Sequence, residues 1–136
     1  MYIIIVGAGK AGYYLTKTLM DENHEVTLVD WNFDRVKKLE MDLGDSIIYA
    51  SGSSIDGLDL SGCSRADIVI ALTGDDEDNL VICQLGSQYF GVKKTIARIN
   101  NPKNSKIFKI LGMGTVVSGI IAISEIIDNY VTVRKS

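Results

Sequence analysis

Gly7-Ala8-Gly9-Lys10-Ala11-Gly12 and Asp30 are the residues whose types and spacing could do chemistry in this chain. The chemistry is the holding of a phosphorylated nucleoside. Gly7 permits a tight turn off a preceding strand. Gly9 lets a pyrophosphate come close to the backbone, and Gly12 lets the next helix pack near the strand. The N–H groups of that helix's first turn, at the positive end of its dipole, then face the phosphates. Asp30 lies 18 residues after Gly12, near the spacing at which a carboxylate accepts hydrogen bonds from a ribose. A carboxylate there favours a free 2′-hydroxyl. NAD(H) is therefore expected over NADP(H), while ATP, ADP or AMP satisfy the same pattern. Glycines at this spacing also occur by chance in tight turns with nothing bound, so the reading depends on the elements around them.

Those elements are the right ones. The apolar run Tyr2 to Val6 reads as a strand and Ala11 to Asp21 as a helix, with Leu15, Thr18 and Leu19 at helical spacing. Val26 to Asp30 is a second strand, and Trp31 to Leu43 a charged helix with Val36, Leu39 and Leu43 on one face. Arg35, one turn into it, is either a solvated charge or a reach towards the adenine or a phosphate. Ser46 to Tyr49 is a third strand, ending in Ala50-Ser51-Gly52-Ser53-Ser54. That small, polar stretch could close over an adenosine, with Gly52 and Ser53 as contacts. Ser53 or Ser54 could equally be the N-cap of a short helix over Ile55 to Leu60.

Ala66 to Leu72 is the apolar strand expected in the middle of a parallel sheet. Thr73 and Gly74 open the turn after it, at the ligand end of the sheet. Asp75 to Asp78 then form an acidic cluster before a helix over Leu80 to Phe90. The cluster reads first as a well-solvated helix start favoured by the dipole, and alternatively as a cation or ribose site. Arg98 stands late in a fifth strand, Thr95 to Ile99, where a buried charge requires a partner. Asn101-Pro102 starts a helix that runs to Leu111 and stops at Gly112. Thr115 to Val117 is a sixth strand.

In the last helix, about 118–131, Ile120, Ile121, Ile123, Ile126, Ile127 and Tyr130 cover more than half the circumference. One face is expected on its own sheet and the other on a partner or second subunit, the alternative being a C-terminal strand or tail folded over it. The whole is an α/β, Rossmann-type, doubly wound parallel sheet of six strands in order 3-2-1-4-5-6. It forms a single domain over residues 1–136.

Composition agrees and excludes other classes. At 136 residues with 46% hydrophobic and 23% charged residues, the chain can bury a core as a soluble domain. A net charge of −3 without a basic run argues against a nucleic-acid partner. With the first strand at Tyr2, no signal peptide is expected, and no apolar run is long enough to span a bilayer. Cys63, Cys83 and the single His24 offer no metal-ligand cluster, and the cysteine usage suits a reducing cytoplasmic compartment. No nucleophile lies beside a base. The dinucleotide end is complete while the chemical end is missing, which favours a ligand sensor over an enzyme. The alternative is the cofactor half of an NAD-dependent oxidoreductase, with an acceptor pocket near Thr73 and Gly74.

The motifs together resemble the RCK or KTN (TrkA-N) nucleotide-binding domain of Trk/Ktr-type potassium-uptake proteins and potassium channels. Gly7 to Gly12, Val29-Asp30 with Arg35, and Gly52-Ser53 match in order. Thr73-Gly74-Asp75-Asp76-Glu77-Asp78-Asn79 resembles the family's Thr-x-x-Asp-Glu-x-Asn signature, and Ala97-Arg98-Ile99-Asn100 its Ala-Arg-Val/Ile stretch. The resemblance implies a homo-oligomer of dimers, as an octameric ring, on the cytoplasmic face of a membrane potassium transporter or channel. Nucleotide exchange in the cleft would change the ring's shape. It implies Gly7 to Gly12 as the phosphate loop, Asp30 as the ribose ligand and Arg98 as a phosphate or inter-subunit contact. The final helix would pack on a neighbouring subunit. Two features depart from the pattern: Ser118-Gly119 stands where the family often has Pro, and the family's second, smaller ligand-binding lobe is not in this sequence.

Overall fold

The computed structural model describes residues 1–135. Its strands are β1 (Tyr2–Val6), β2 (Glu25–Asp30), β3 (Ile47–Tyr49), β4 (Ile68–Ala71), β5 (Lys94–Arg98) and β6 (Thr115–Val117). The helices are α1 (Lys10–Asp21), α2 (Phe33–Leu43), α3 (Ile55–Leu60), α4 (Asp76–Gln84), α5 (Ser105–Ile110) and α6 (Gly119–Lys135). The strands form one sheet in the order β3-β2-β1-β4-β5-β6, with every neighbouring pair parallel. This is the doubly wound architecture expected.

Alternation along β1 divides the core. Ile3 and Ile5 face the side on which Tyr13, Leu15 and Leu19 of α1 and Val36, Leu39 and Leu43 of α2 pack. Tyr2, Ile4 and Val6 face Leu58 of α3, Ile82 and Cys83 of α4, and Phe108 of α5. A strand flanked on both sides and covered on both faces must be apolar at every position, and all five residues of β1 are buried. All crossovers leave the C-terminal ends of the strands, so the loops after β1, β2, β3, β4 and β5 converge on one edge.

Capping accounts for the helix boundaries that differ from expectation. The second helix begins at Phe33 rather than Trp31, because Asn32 adopts an extended conformation and its side chain accepts from the Arg35 N–H at 3.0 Å. The fourth begins inside the acidic cluster, where Asp75 accepts from the Asp78 N–H at 3.0 Å. It continues past Gln84 as a wider π turn over Leu85–Tyr89. Pro102–Asn104 form a separate 3₁₀ turn, so α5 is shorter than the Asn101-Pro102 signal suggested.

The last helix overturns one expectation. It does not bury a face on its own sheet. Ile120, Ile123, Ile126 and Ile127 are each more than half exposed, and among the expected stripe only Ile121 is partly covered. The physical reason lies in β6: the edge strand is three residues long and itself half-exposed, which leaves no surface wide enough to seat a helix. Ser118 caps the helix through its Oγ, which accepts from the Ile121 N–H at 3.2 Å. Among the described residues no helix is long and apolar enough to cross a membrane.

Candidate functional site

At the C-terminal edge of the sheet, a cleft of about 370 Å³ is bounded by the loops after β1, β2, β3 and β4 and by the end of β5. The volume lies within the range of small-ligand sites.

Steric necessity builds the floor. Gly7 has φ +112, and a Cβ there would stand 2.8 Å from the Leu72 backbone. A Cβ on Gly12 would fall 1.8 Å from the Gly7 carbonyl oxygen. These two glycines therefore serve the close passage of α1 over β1 and β4. Gly9 differs: a Cβ there would meet nothing within 4 Å, and its backbone faces the cleft.

The start of α1 is electrically bare. Its N-cap is Gly9, with no side-chain hydrogen bond and no acidic residue in the first turn. By contrast α2, α3 and α4 are capped by Asn32, Ser54 and Asp75. Each helix begins with N–H groups that lack intrahelical partners, and here no side chain takes them up. That leaves positive potential at the cleft floor, suited to an anion.

Asp30, at the end of β2, is buried and closes the cleft's other side. Its Oδ2 accepts from the Ala8 N–H at 2.7 Å and from Arg35 Nη1 at 3.1 Å, and its Oδ1 accepts from the Asn32 N–H at 2.7 Å. The carboxylate thus ties the glycine loop to the start of α2. Gly7 N–H donating to the Val29 carbonyl at 2.8 Å fastens the same two strands.

The third wall comes from β4, α4 and β5. Asn79 is fully buried and satisfied by Thr73 and the Arg98 carbonyl. Its Oδ1 accepts from the Thr73 N–H at 3.0 Å and the Thr73 hydroxyl at 2.6 Å, while its Nδ2 donates to the carbonyls of Thr73 and Arg98. Arg98 reaches under the turn, donating from Nη2 to the Leu72 carbonyl at 2.6 Å and the Thr73 carbonyl at 3.1 Å. Its partners are backbone dipoles rather than a carboxylate, and its buried Nε has no hydrogen-bond partner among the described residues. An orphaned guanidinium N–H at a cleft wall, together with the bare α1 terminus, fits an anionic ligand.

The acidic cluster separates into three roles. Asp75 caps α4, and Asp78 lines the cleft. Asp76 turns away, accepting from the Asn100 and Asn101 backbone N–H groups at 2.7 and 3.0 Å and from the Asn104 side chain at 2.8 Å. Burial pushes its carboxyl up, but these donors outweigh that and hold it below the ordinary aspartate range. No group of three or more His, Cys, Asp and Glu that could hold a metal occurs among the described residues.

Of the residues singled out in the sequence, Gly7, Gly9, Asp30, Arg35, Gly52, Ser53, Thr73, Gly74 and Arg98 line this one cleft. Ala8 is buried beside it with its N–H on Asp30, and Gly12 lies beneath Gly7. Lys10 and Ala11 are exposed on α1 outside the lining. The choice between the serines resolves by geometry: Ser54 Oγ accepts from the Gly57 N–H at 3.0 Å as the cap, and Ser53 faces the cleft. Sequence reasoning missed Trp31 as a lining residue, for which adjacency to Asp30 was the signal, and placed Asp78 only within an acidic cluster whose alternative reading was a cation or ribose site. Cys63 and Cys83 are both buried, and burial pushes their thiols up to about 11 and about 12.

The family model described as the TrkA-N domain matches residues 3–119. The Trk system potassium uptake protein TrkA homolog of Methanothermobacter thermautotrophicus is 35% identical over 118 residues, covering 87% of this chain and 54% of that protein. The Trk system potassium uptake protein TrkA of Vibrio alginolyticus is 33% identical over 136 residues, covering 96% and 29% respectively. The chain thus spans about half the length of these curated relatives, or less. Among solved structures, the GsuK channel bound to NAD superposes with a TM-score of 0.73 at 25% identity, over 85% of this chain and 21% of that one. GsuK bound to ADP does so with a TM-score of 0.73 at 25% identity, over 86% and 31%. Matched from Ile3 to Gly119, with its glycine loop, Asp30 and the Thr73–Asn79 turn gathered around one cleft, the chain belongs to the TrkA-N domain family.

Proposed function

We propose that this domain is a non-catalytic nucleotide sensor that regulates a potassium uptake system or channel. It binds NAD(H), or ATP, ADP or AMP, in the cleft above β1, β2 and β4. The observation that carries the reading is the bare N-terminus of α1 facing the same cleft as Asp30, Arg35 and Arg98. The phosphates lie over Gly7 and Gly9, where first-turn N–H groups and the two guanidinium groups balance their charge. The ribose hydroxyls meet Asp30, and Gly52 and Ser53 close over the nucleoside. The names of the relatives support both halves: the two TrkA proteins belong to potassium uptake, and GsuK is a channel bound to NAD and to ADP.

The bound state passes on through a homo-oligomer, a dimer that builds a larger ring at the cytoplasmic face of the membrane partner. The exposed isoleucines of α6 supply the subunit contact, since an apolar helix surface of that extent marks an interaction site. A ligand shifts such an assembly only by its differential affinity for two shapes. The prediction is that two nucleotides bind the same cleft but stabilise different dimers.

Calorimetric titration of the nucleotide-stripped protein with NADH, NAD, ATP, ADP and AMP, repeated on Gly9→Ala and Asp30→Ala, tests the reading. Binding of one or two nucleotides, lost in the variants, is the expected result. Failure of all five to bind overturns it. Indistinguishable X-ray scattering profiles with two saturating nucleotides would overturn the gating step alone.

A further inference from the structure

Beside the cleft stands an aromatic group with no part in holding phosphate or ribose. Trp31, the single tryptophan of the chain, follows Asp30 directly and lines the cleft while 66% exposed. Its indole stacks on the Tyr49 ring with centroids 5.0 Å apart and planes 5° from parallel. Phe33 meets Tyr49 edge-on at 5.4 Å, and Lys37 Nζ stands 5.4 Å from the Phe33 centroid. The stack is set by the sheet, because Tyr49 is the register partner of Asp30 on the neighbouring strand. It is also set by the turn. Asp30 Oδ1 accepts the Asn32 N–H at 2.7 Å, which brackets the Trp31 backbone between two anchored residues.

We propose that Trp31 is the nucleobase platform of the cleft, with Tyr49 as its backing. The inference rests on the nucleotide reading of this site. A ribose whose hydroxyls sit on Asp30 carries its base at the adjoining sugar carbon, within reach of the next residue along the chain. Tyr49 covers one face of the indole and does not itself line the cleft, so the indole surface left over belongs to the ligand. A large apolar ring held in water on a rigid backing has lost its conformational freedom before the ligand arrives, which is what a stacking platform requires. Stacking reads the π-face rather than the hydrogen-bonding edge of a base. The platform therefore selects nucleotides over base-free phosphates.

The test compares wild type with Trp31→Leu and Trp31→Phe. Each is titrated with ADP, NAD and inorganic pyrophosphate by calorimetry, with thermal midpoints recorded for the variants. In wild type the emission of Trp31 also reports directly on the ring. Saturation with ADP or NAD is expected to quench that emission. Trp31→Leu is expected to weaken nucleotide binding about five- to 160-fold, the range for losing one base–aromatic stack. Trp31→Phe should recover most of the loss, and no variant should alter pyrophosphate binding. Unchanged nucleotide affinity in Trp31→Leu, or equal weakening in the Leu and Phe variants, would overturn the platform and leave nucleotide binding standing. Absence of nucleotide binding in wild type would overturn both.

Discussion

Arg35 Nη1 stands 3.1 Å from Asp30 Oδ2, so the carboxylate at the end of β2 meets a guanidinium before it meets a ligand. The two partners are unlike in burial: 47% of the Arg35 side chain is exposed against 8% of Asp30. Asp30 also holds the backbone N–H groups of Ala8 and Asn32, which cannot leave without moving the fold. Arg35 is the partner that can be given up. On the proposed function, a ribose arriving at Asp30 would release Arg35 towards the phosphates.

The two ends of this pair should respond differently to mutation. Arg35→Ala should change stability by less than about 1 kcal/mol, as expected for a half-exposed ion pair. Asp30→Ala strands the buried Ala8 N–H and should cost about 1–3 kcal/mol. Urea denaturation of both variants measures the difference, and equal losses would contradict the assignment of Ala8 to Asp30.

Within the glycine loop, position decides whether a methyl group harms the fold or the site. Gly12→Ala places a Cβ 1.8 Å from the Gly7 carbonyl oxygen and should cost about 3 kcal/mol or more, since backbone rather than a side chain must give way. Gly9→Ala adds its Cβ to open space at φ −70 and should leave stability within about 0.5 kcal/mol. Its expected effect is on nucleotide affinity alone, read by calorimetry beside a thermal melt. A Gly9→Ala protein that binds like wild type would place the phosphates elsewhere.

Asp76 makes acid stability predictable in sign. Its folded carboxyl is held below the ordinary aspartate value, so its contribution is present above about pH 4 and lost as pH falls through the folded value. Asp76→Asn should therefore lower stability by about 1–2 kcal/mol at pH 7. It should also flatten the stability curve between pH 5 and pH 2, on the order of the range where such groups protonate. Urea midpoints across that range, compared with wild type, provide the measurement. Parallel curves would show that the Asn100–Asn104 donors do not depend on the charge.

For α6 the prediction concerns assembly. Ile123→Ser with Ile127→Ser removes apolar surface that touches little within the protomer. Sedimentation should show the variant shifted to monomer, and its thermal midpoint should become independent of protein concentration where that of wild type rises with it. Identical sedimentation of the two proteins would remove α6 from the interface.

How far the sequence reaches can be judged from single residues. The strand–glycine–helix run at residues 2–12 and the acid at Asp30 are local patterns, and the local geometry follows them because chain neighbours alone determine it. The strand order is legible for a related reason: βαβ units with short connections leave few ways to wind a parallel sheet. Asn79 shows the limit. Its place in the first turn of α4 and its bonds to Thr73 six residues earlier are local, but its bond to the Arg98 carbonyl appears only when β4 and β5 are neighbours.

The sequence by itself determined the fold class, the edge of the sheet at which the cleft opens, and the family-specific spacing from Gly7 to Asn100. Periodicity and turn chemistry act over a few residues and are written in order along the chain. Only the tertiary structure decided that Asp75, Asp76 and Asp78 diverge to a cap, a loop anchor and the cleft. It alone decided that Arg98 turns to carbonyls, that Trp31 is backed by Tyr49, and that the protomer leaves the isoleucines of α6 uncovered. The partners of a side chain are set by what folding brings near it, and a helix buries only the face for which the fold supplies a surface.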